Sequence, residues 1–349
     1  MSVTTHERPG VYSSYDASAV VSGGGGRLVG LVGVNTKAAA NTAYTVTSYE
    51  QALTIFGTGG TMAELIRLAL LNGAAGVVAA AAATAAGYEA AFAVLEKEES
   101  ICVMLCDSAD AAVHGKLKTS VDNASAARRE RIAVVGAAAG ETVSQLTARA
   151  AALNHQRMVL VGPGGVDGSG EAASGVPLAA AVGGAIAAMD DPAVPLGGQE
   201  LRGLNGVSQQ YSDNDIDLLV RGGVTPLESV SGTVSVVRGI TTRTKTGEVS
   251  DRTWRELTTI LVVDDVIPSI RSALRSKFSR AKNTPQSRGA IRAQVVLELE
   301  NKLSQEIITA YDNVTVTEKA DDPTVCLVEF SFTAAHGLNQ IWLTAHITV

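Results

Sequence analysis

The amino-acid sequence predicts an α/β core domain, built as a layered and mostly parallel sheet, followed by an α+β C-terminal domain. Between residues 28 and 190, short apolar runs without polar alternation are separated by segments of helical length, which is typical of parallel strands covered on both faces. After residue 225, helical segments are followed by a run of strands, which is typical of an α+β domain. Hydrophobic residues make up 46% of the 349 residues and charged residues 18%, so the composition excludes a disordered chain.

The predicted core is a series of strand–helix units. Apolar runs predict its strands at residues 28–34, 76–81, 101–106, 132–135 and 157–161. Its helices are predicted at residues 61–72, 88–96, 109–122, 142–154 and 178–189. The stretch 190–225 differs, because Pro, paired Gly and polar residues interrupt every periodic pattern there. We expect a long irregular connection in that stretch, of the kind that usually has a function.

The C-terminal domain is predicted from a second set of patterns. Residues 233–240 and 257–263 are β-rich, 264–281 and 288–308 are helical, and 314–317, 325–333 and 341–349 are β-rich again. Asp264 and Asp265 lie at the predicted junction between a strand and a helix, where a carboxylate acts as an N-cap and a partner of the helix dipole. These two acids are therefore expected to have a structural role without acid–base chemistry.

The last nine residues carry the most regular pattern in the chain. Their apolar members alternate with Trp, Thr and His, as expected for a half-buried strand, and these members are Ile341, Leu343, Ala345, Ile347 and Val349. This strand contains no Pro or charged residue that would hinder pairing along its edge. An exposed edge strand pairs readily with another chain. Two interpretations remain open here. The strand is either an internal strand of the C-terminal domain or a strand that pairs between subunits.

A cluster of cations stands out in a chain whose formal net charge is -7. Seven basic residues without an acidic residue among them follow Val266, namely Arg271, Arg275, Lys277, Arg280, Lys282, Arg288 and Arg292. On one helix, Arg271, Arg275 and Lys282 fall along one flank of an apolar stripe. This basic face is either a solvated helix surface or a docking surface for an acidic partner, where complementary potential sets register and association rate.

No pattern of catalytic or cofactor-binding residues is present in the sequence. The glycine-rich loop at residues 162–170 follows a strand, but it has neither the P-loop lysine nor the dinucleotide glycine spacing. The five histidines and the cysteines Cys102, Cys106 and Cys326 show no metal-ligand spacing. The sequence therefore predicts a protein that is not an enzyme and that binds no cofactor or metal. The acidic balance disfavours a general nucleic-acid binder, and no apolar run reaches the length of a membrane span.

Several short motifs, in a consistent order along most of the chain, resemble those of a known family. They are Pro9-Gly10-Val11-Tyr12, the stretch 48–57, the Pro- and Gly-containing stretch 192–203, residues 222–226, residues 236–242 and Asp251-Arg252-Thr253-Trp254. With the helix around Ile270 and Leu274, these motifs are similar to those of tail sheath proteins from contractile phage tails and phage-tail-like bacteriocins. The chain is short for a sheath, so any outer decorating domain is expected to be absent or small.

The resemblance implies a structural protein and a set of partners. Sheath subunits stack as hexameric rings around an inner tail tube, and contraction drives the tube through a target envelope. The implied partners are further copies of the chain in a helical stack, the inner tube protein, and the baseplate and tail terminator proteins. The implied location is a virion tail or a bacteriocin particle that is assembled in the host cytoplasm. Neither nucleic-acid binding nor membrane insertion of the sheath itself is implied.

The resemblance also assigns roles by position. An N-terminal extended arm at 1–20 and a C-terminal strand arm at 336–349 would flank the core at 21–225 and the α+β domain at 226–335. Strand exchange between subunits would use Pro9, Gly10, Val11 and Tyr12 together with the alternating apolar residues of the last strand. Arg271, Arg275 and Lys282 would dock onto the inner tube.

Two other functions remain open on the residues alone. A nucleotide-binding α/β enzyme would use the glycine-rich loop at residues 162–170 to hold phosphate. A tube protein is also a self-assembling tail component, but it needs a mostly β ring rather than strand–helix units.

Overall fold

The computed structural model describes residues 27–339 and 343–344. The predicted arm residues Pro9, Gly10, Val11 and Tyr12 therefore lie outside the described residues, as do Ile341, Ala345, Ile347 and Val349. Leu343 is described and is 91% exposed. In the described part, no helix is both long and apolar enough to cross a membrane.

One large sheet forms the centre of the core. Its strands are β1 (Leu28–Val34), β2 (Ala43–Val46), β3 (Val77–Ala82), β4 (Ile101–Cys106), β5 (Ile132–Gly136), β6 (Met158–Gly162), β7 (Glu200–Leu201), β8 (Val224–Val230) and β9 (Thr233–Val236). Within the described residues, their order across the sheet is β2-β3-β1-β4-β5-β6-β8-β9-β7. The strands from β3 to β8 in this order are parallel, and β2, β9 and β7 pair antiparallel at the two edges.

Helices cover both faces of this sheet. They are α1 (Tyr49–Phe56), α2 (Thr61–Leu71), α3 (Tyr88–Leu95), α4 (Ala111–Ala126), α5 (Val143–Leu153), α6 (Val176–Ala187) and α7 (Asp213–Arg221). One apolar cluster holds side chains of α1, α2 and α6, and the other holds side chains of α3, α4, α5 and α7. The central strands are buried on both faces because each face packs on helices, which explains their unbroken apolar sequences. The predicted layered α/β core is confirmed.

Helix α6 is buried along its whole length. A helix in this position has to be apolar all round and narrow where it meets its neighbours. Two glycines provide the narrow face. A Cβ atom on Gly183 would lie 2.8 Å from a Leu105 methyl of β4, and one on Gly184 would lie 2.4 Å from the Ala69 carbonyl oxygen of α2.

The stretch 190–225 is more ordered than the sequence predicted. It contains β7 and α7, and α7 begins with a capping box in which Ser212 and Asp215 each accept a bond from the other's backbone N–H. The core also extends past the boundary placed at residue 225. Strand β8 starts at Val224 and continues across that boundary, and β9 pairs with it antiparallel. The sheet therefore ends at Val236 rather than at residue 225.

The C-terminal part is a pair of helices packed on a β-hairpin. Its elements are the small strands β10 (Lys245–Thr246) and β11 (Val249–Ser250), the helices α8 (Leu257–Phe278) and α9 (Pro285–Ser304), and the strands β12 (Ile308–Lys319) and β13 (Asp322–Ala334). Strands β12 and β13 pair antiparallel. The predicted α+β composition of this part is confirmed.

The prediction of a strand at residues 257–263 is wrong, because these residues form the first two turns of α8. Leu257 and Ile260 belong to the apolar cluster of the core, whereas Val262 and Val266 belong to that of the C-terminal part. This part of the helix lies between two cores, so none of the residues 257–263 is exposed and their apolar positions do not form a single stripe with a 3.6-residue period. Its β-branched residues therefore gave a misleading β signal.

Candidate assembly surfaces

The β12–β13 hairpin has two strand edges that are open among the described residues. Within the described residues, β12 and β13 pair with each other and with no other strand. One face packs on α8 and α9 through Val314, Val328, Phe330 and Phe332. The side chains of Thr315, Thr317, Glu329 and Ser331, among others, are exposed. Unpaired N–H and C=O groups along such edges form a template on which a further strand can pair.

A buried ion pair joins helix α8 to the core. Arg157, which directly precedes β6, donates from Nη1 and Nη2 to the two carboxylate oxygens of Asp264 at 2.5 and 2.8 Å. The two side chains are 11% and 14% exposed. Burial raises the pKa of the Asp264 carboxyl, and the bonds from Arg157 oppose that shift. The expected N-cap role of Asp264 is wrong, because this residue lies inside α8 and anchors it to the sheet.

Asp265 joins three parts of the molecule. Its carboxylate lies 2.5 Å from Nζ of Lys302 in α9 and 3.7 Å from Nη2 of Arg27, which precedes β1. Arg27 also donates to the Met189 carbonyl oxygen at 2.9 Å. The N-cap role predicted for Asp265 is therefore wrong as well. Arg27 and Arg157 both stand at the amino ends of parallel strands, so α8 runs along the amino-terminal edge of the sheet.

The predicted docking residue Arg271 is engaged within the chain. It donates to both carboxylate oxygens of Glu130 at 2.5 and 3.1 Å. Burial alone would raise the pKa of the Glu130 carboxyl, but the bonds from Arg271 hold it below its ordinary value. The prediction that the cations of this region are uncompensated is therefore wrong for Arg271. It is also wrong for Arg288, which lies 2.8 Å from Glu318.

Arg275, Arg280 and Lys282 form the remaining basic surface. All three are exposed, and none has an ion pair among the described residues. Helix α8 ends at Phe278, so Lys282 lies in the α8–α9 connection and not on the helical flank where the sequence placed it. Lys277 donates to Gln294 at 2.6 Å, and Arg292 donates to the Val314 carbonyl oxygen at 2.9 Å.

The glycine-rich loop at residues 162–170 is folded onto its own backbone. Gly165 N–H donates to the Ser174 carbonyl oxygen, and Asp167 N–H donates to that of Glu171. Ser169 N–H donates to the Asp167 carboxylate at 2.8 Å. A phosphate cradle needs free N–H groups that converge on one point. The N–H groups of Gly165, Asp167, Ser169 and Gly170 are used internally, so the loop geometry does not favour the nucleotide-binding alternative.

The cysteine thiols of β4 are poor nucleophiles and metal ligands. Burial raises the pKa of Cys102 to about 11 and that of Cys106 to about 12, so both stay protonated at neutral pH. Across the described residues, no group of three His, Cys, Asp or Glu side chains is placed to hold a metal ion.

Comparison with known proteins accounts for this combination of a layered core, a helix pair and an open hairpin. The family model for the phage tail sheath protein central domain matches residues 81–242, and that for the phage tail sheath C-terminal domain matches residues 249–348. The tail sheath protein of Bacillus phage SP01 is 26% identical over 260 residues, which are 72% of this chain and 44% of that protein. The chain thus spans less than half the length of this curated relative.

Solved structures share the fold. The sheath tail protein of Desulfitobacterium hafniense has a TM-score of 0.70 at 12% identity, covering 93% of this chain and 100% of that one. The anti-feeding prophage helical sheath in its contracted state has a TM-score of 0.74 at 15% identity, covering 98% and 99%. The sheath of the PVC extracellular contractile injection system, also contracted, has a TM-score of 0.74 at 15% identity, covering 99% of each chain.

The class defined by these matches is the structural sheath protein of contractile injection systems, found in phages and phage-like particles. Within that class, the chain belongs to the phage tail sheath family.

Proposed function

We propose that this chain polymerises as stacked hexameric rings around an inner tail tube and contracts to drive that tube through a target envelope. The observation that carries the proposal is the β12–β13 hairpin, whose edges are open in the part of the chain that the structure describes and suit the addition of strands from other subunits. The contracted state of two similar sheaths supports contraction. The sheath acts without catalysis in this proposal, because its work comes from subunit rearrangement.

The proposed partners follow from this role. Further copies of the chain would surround each subunit, and the inner tube protein would lie against the basic surface. Baseplate and tail terminator proteins would bound the helical stack, and the particle would assemble in the host cytoplasm. The two arms, at 1–20 and 336–349, would supply the strands that link the subunits into a mesh.

Deleting residues 341–349 is expected to abolish polymerisation and to leave soluble, folded subunits. Strand addition supplies a ladder of main-chain hydrogen bonds at each link, and removing the added strand removes the whole ladder. Electron microscopy would show striated tubes for the full chain and discrete particles for the truncated chain, with circular dichroism as the control for folding. Tubes formed by the truncated chain would refute the role of the C-terminal arm. Discrete particles from the full chain would refute the sheath assembly itself.

Reversing Arg275 and Lys282 to glutamate is expected to weaken assembly on the inner tube in a salt-dependent way. Both residues are exposed, and attraction between exposed charges is screened over a Debye length of about 8 Å at 0.15 M salt. Co-sedimentation with the tube between 0.05 and about 0.5 M salt would measure the effect. The matched control reverses Lys97 and Arg202, which are also exposed. Equal co-sedimentation of both double variants would count against tube docking here. Arg271→Glu belongs in a separate variant because it also breaks the pair with Glu130.

A further inference from the structure

The residues that lead from the β12–β13 hairpin towards the end of the chain lie across the connection between α6 and β7. They are residues 335–339, which follow β13 without regular secondary structure, and we call them the arm root. The arm root starts beside β12, because Ala335 N–H donates to the Ile307 carbonyl oxygen at 3.1 Å. It then reaches Pro195 in the connection, where Gly337 packs against the proline ring.

Gly337 makes a close contact that a larger residue would not permit. A Cβ atom at this position would lie 2.8 Å from both Cβ and Cγ of Pro195 and 3.0 Å from its Cδ. The backbone of Gly337 is not in the left-handed region, so glycine is needed here for space and not for conformation. Gly337 is half-buried against the ring, whereas its neighbours His336 and Leu338 are exposed. The backbone of the arm root therefore lies directly on Pro195.

The connection that carries Pro195 is fixed by both parts of the molecule. Leu196 belongs to the apolar cluster of the core, and Ala193 belongs to that of the C-terminal part. The Asp191 carboxylate accepts a bond from the Ala193 N–H at 2.8 Å. The pyrrolidine ring also restricts the backbone of Pro195 itself. Pro195 is thus a rigid support for the arm root.

We propose that Pro195 and Gly337 form a seat that sets the direction in which the C-terminal arm leaves the subunit, with Gly337 as the positioning residue. An added strand has to meet the edge of its acceptor in one register. A root that is held on a rigid support limits the directions open to the arm, so each link loses less entropy when it forms. The inference rests on the proposed sheath assembly and adds to it the contact that orients the arm.

Gly337→Ala tests the proposal on the full chain. We expect the critical concentration for self-assembly to rise about tenfold or more, because a root that is released from the seat adds the ordering of at least one backbone residue to each link. The thermal midpoint of the subunit should stay within about 2 °C of the wild type, because the contact lies at the surface. Sedimentation of polymer from subunit, without the inner tube, gives the critical concentrations.

A control glycine and a second background isolate the contact with the ring. Gly168 is an exposed loop glycine, and a Cβ atom there would meet nothing within 4 Å, so Gly168→Ala should leave the critical concentration unchanged. Pro195→Gly removes the ring that the new methyl group would meet. In that background, the further effect of Gly337→Ala should fall below about threefold, because the two positions are coupled through their contact.

The inference and the proposed function fail in different ways. Gly337→Ala polymers that form at the wild-type concentration would overturn the inference. An equal effect of Gly337→Ala with and without the Pro195 ring would overturn it as well, because the seat would then not act through that ring. A wild-type chain that does not polymerise would overturn the proposed function, and the inference with it.

Discussion

Replacing Arg157 with alanine is expected to lower the free energy of unfolding by about 3–5 kcal/mol, because it leaves the Asp264 carboxylate buried without its partner. The pair is bidentate, both side chains are more than four-fifths buried, and it joins the sheet to α8. Urea denaturation followed by circular dichroism would measure the loss. We expect the urea concentration at the midpoint of unfolding to fall, and the slope of the unfolding free energy against urea concentration to stay nearly the same.

An exposed ion pair provides the matched control for Arg157. Arg221 and Asp217 lie 3.0 Å apart one turn from each other on α7, and their side chains are 73% and 64% exposed. Arg221→Ala should cost about 0–1 kcal/mol, as exposed pairs usually do. Replacing Arg157 and Asp264 together with Met and Leu should cost much less than Arg157→Ala, since no buried charge remains. If Arg157→Ala and Arg221→Ala cost the same, the buried pair does not fasten α8.

Replacing Gly184 with alanine is expected to destabilise the core by about 1–3 kcal/mol, because the added methyl group overpacks a full interface. The new Cβ would lie 2.4 Å from the Ala69 carbonyl oxygen and 2.9 Å from its Cα, and both atoms are backbone. Helices α6 and α2 would have to separate to make room. The same denaturation experiment measures the loss.

The control for Gly184 is a glycine inside another helix. A Cβ atom on Gly115 of α4 meets nothing within 4 Å. Gly115→Ala should therefore stabilise the protein by about 0.5–1 kcal/mol, the usual difference in helix propensity. Opposite signs for these two Gly→Ala changes would show that α2 and α6 are in direct backbone contact. Stabilisation by Gly184→Ala would contradict the close approach.

The core strands could be predicted from the sequence because a strand that is buried on both faces is apolar at nearly every position. Strands β1 and β4 were predicted with the bounds that the structure has, since each is an unbroken apolar run between polar segments. Helix α7 was not predicted from the sequence, because it is short and most of its residues are polar. Its capping residues Ser212 and Asp215 were the local signal that could have revealed it.

Long-range pairing explains the errors at the candidate site. Glu130 lies 141 residues before Arg271, so nothing local to the basic stretch indicates that one of its cations is neutralised. Arg157 and Asp264 are separated by 107 residues. The wrong prediction of a strand before Asp264 placed this residue at the start of a helix, so its ion pair with Arg157 was not foreseen. Ion pairs between residues so far apart in the sequence can be recognised only once the fold is known.

The position of α8 determines where the chain can be divided. The two family models meet between residues 242 and 249, yet Leu257 and Ile260 of α8 complete the apolar cluster of the core sheet. A fragment ending at residue 242 would leave that part of the core open to water and would lose the Thr241–Arg255 bond. The next turns of the same helix complete the C-terminal cluster through Val262 and Val266. We therefore infer that the boundary between the two sequence domains does not separate independent folding units, and we expect the shared helix to make their folding cooperative.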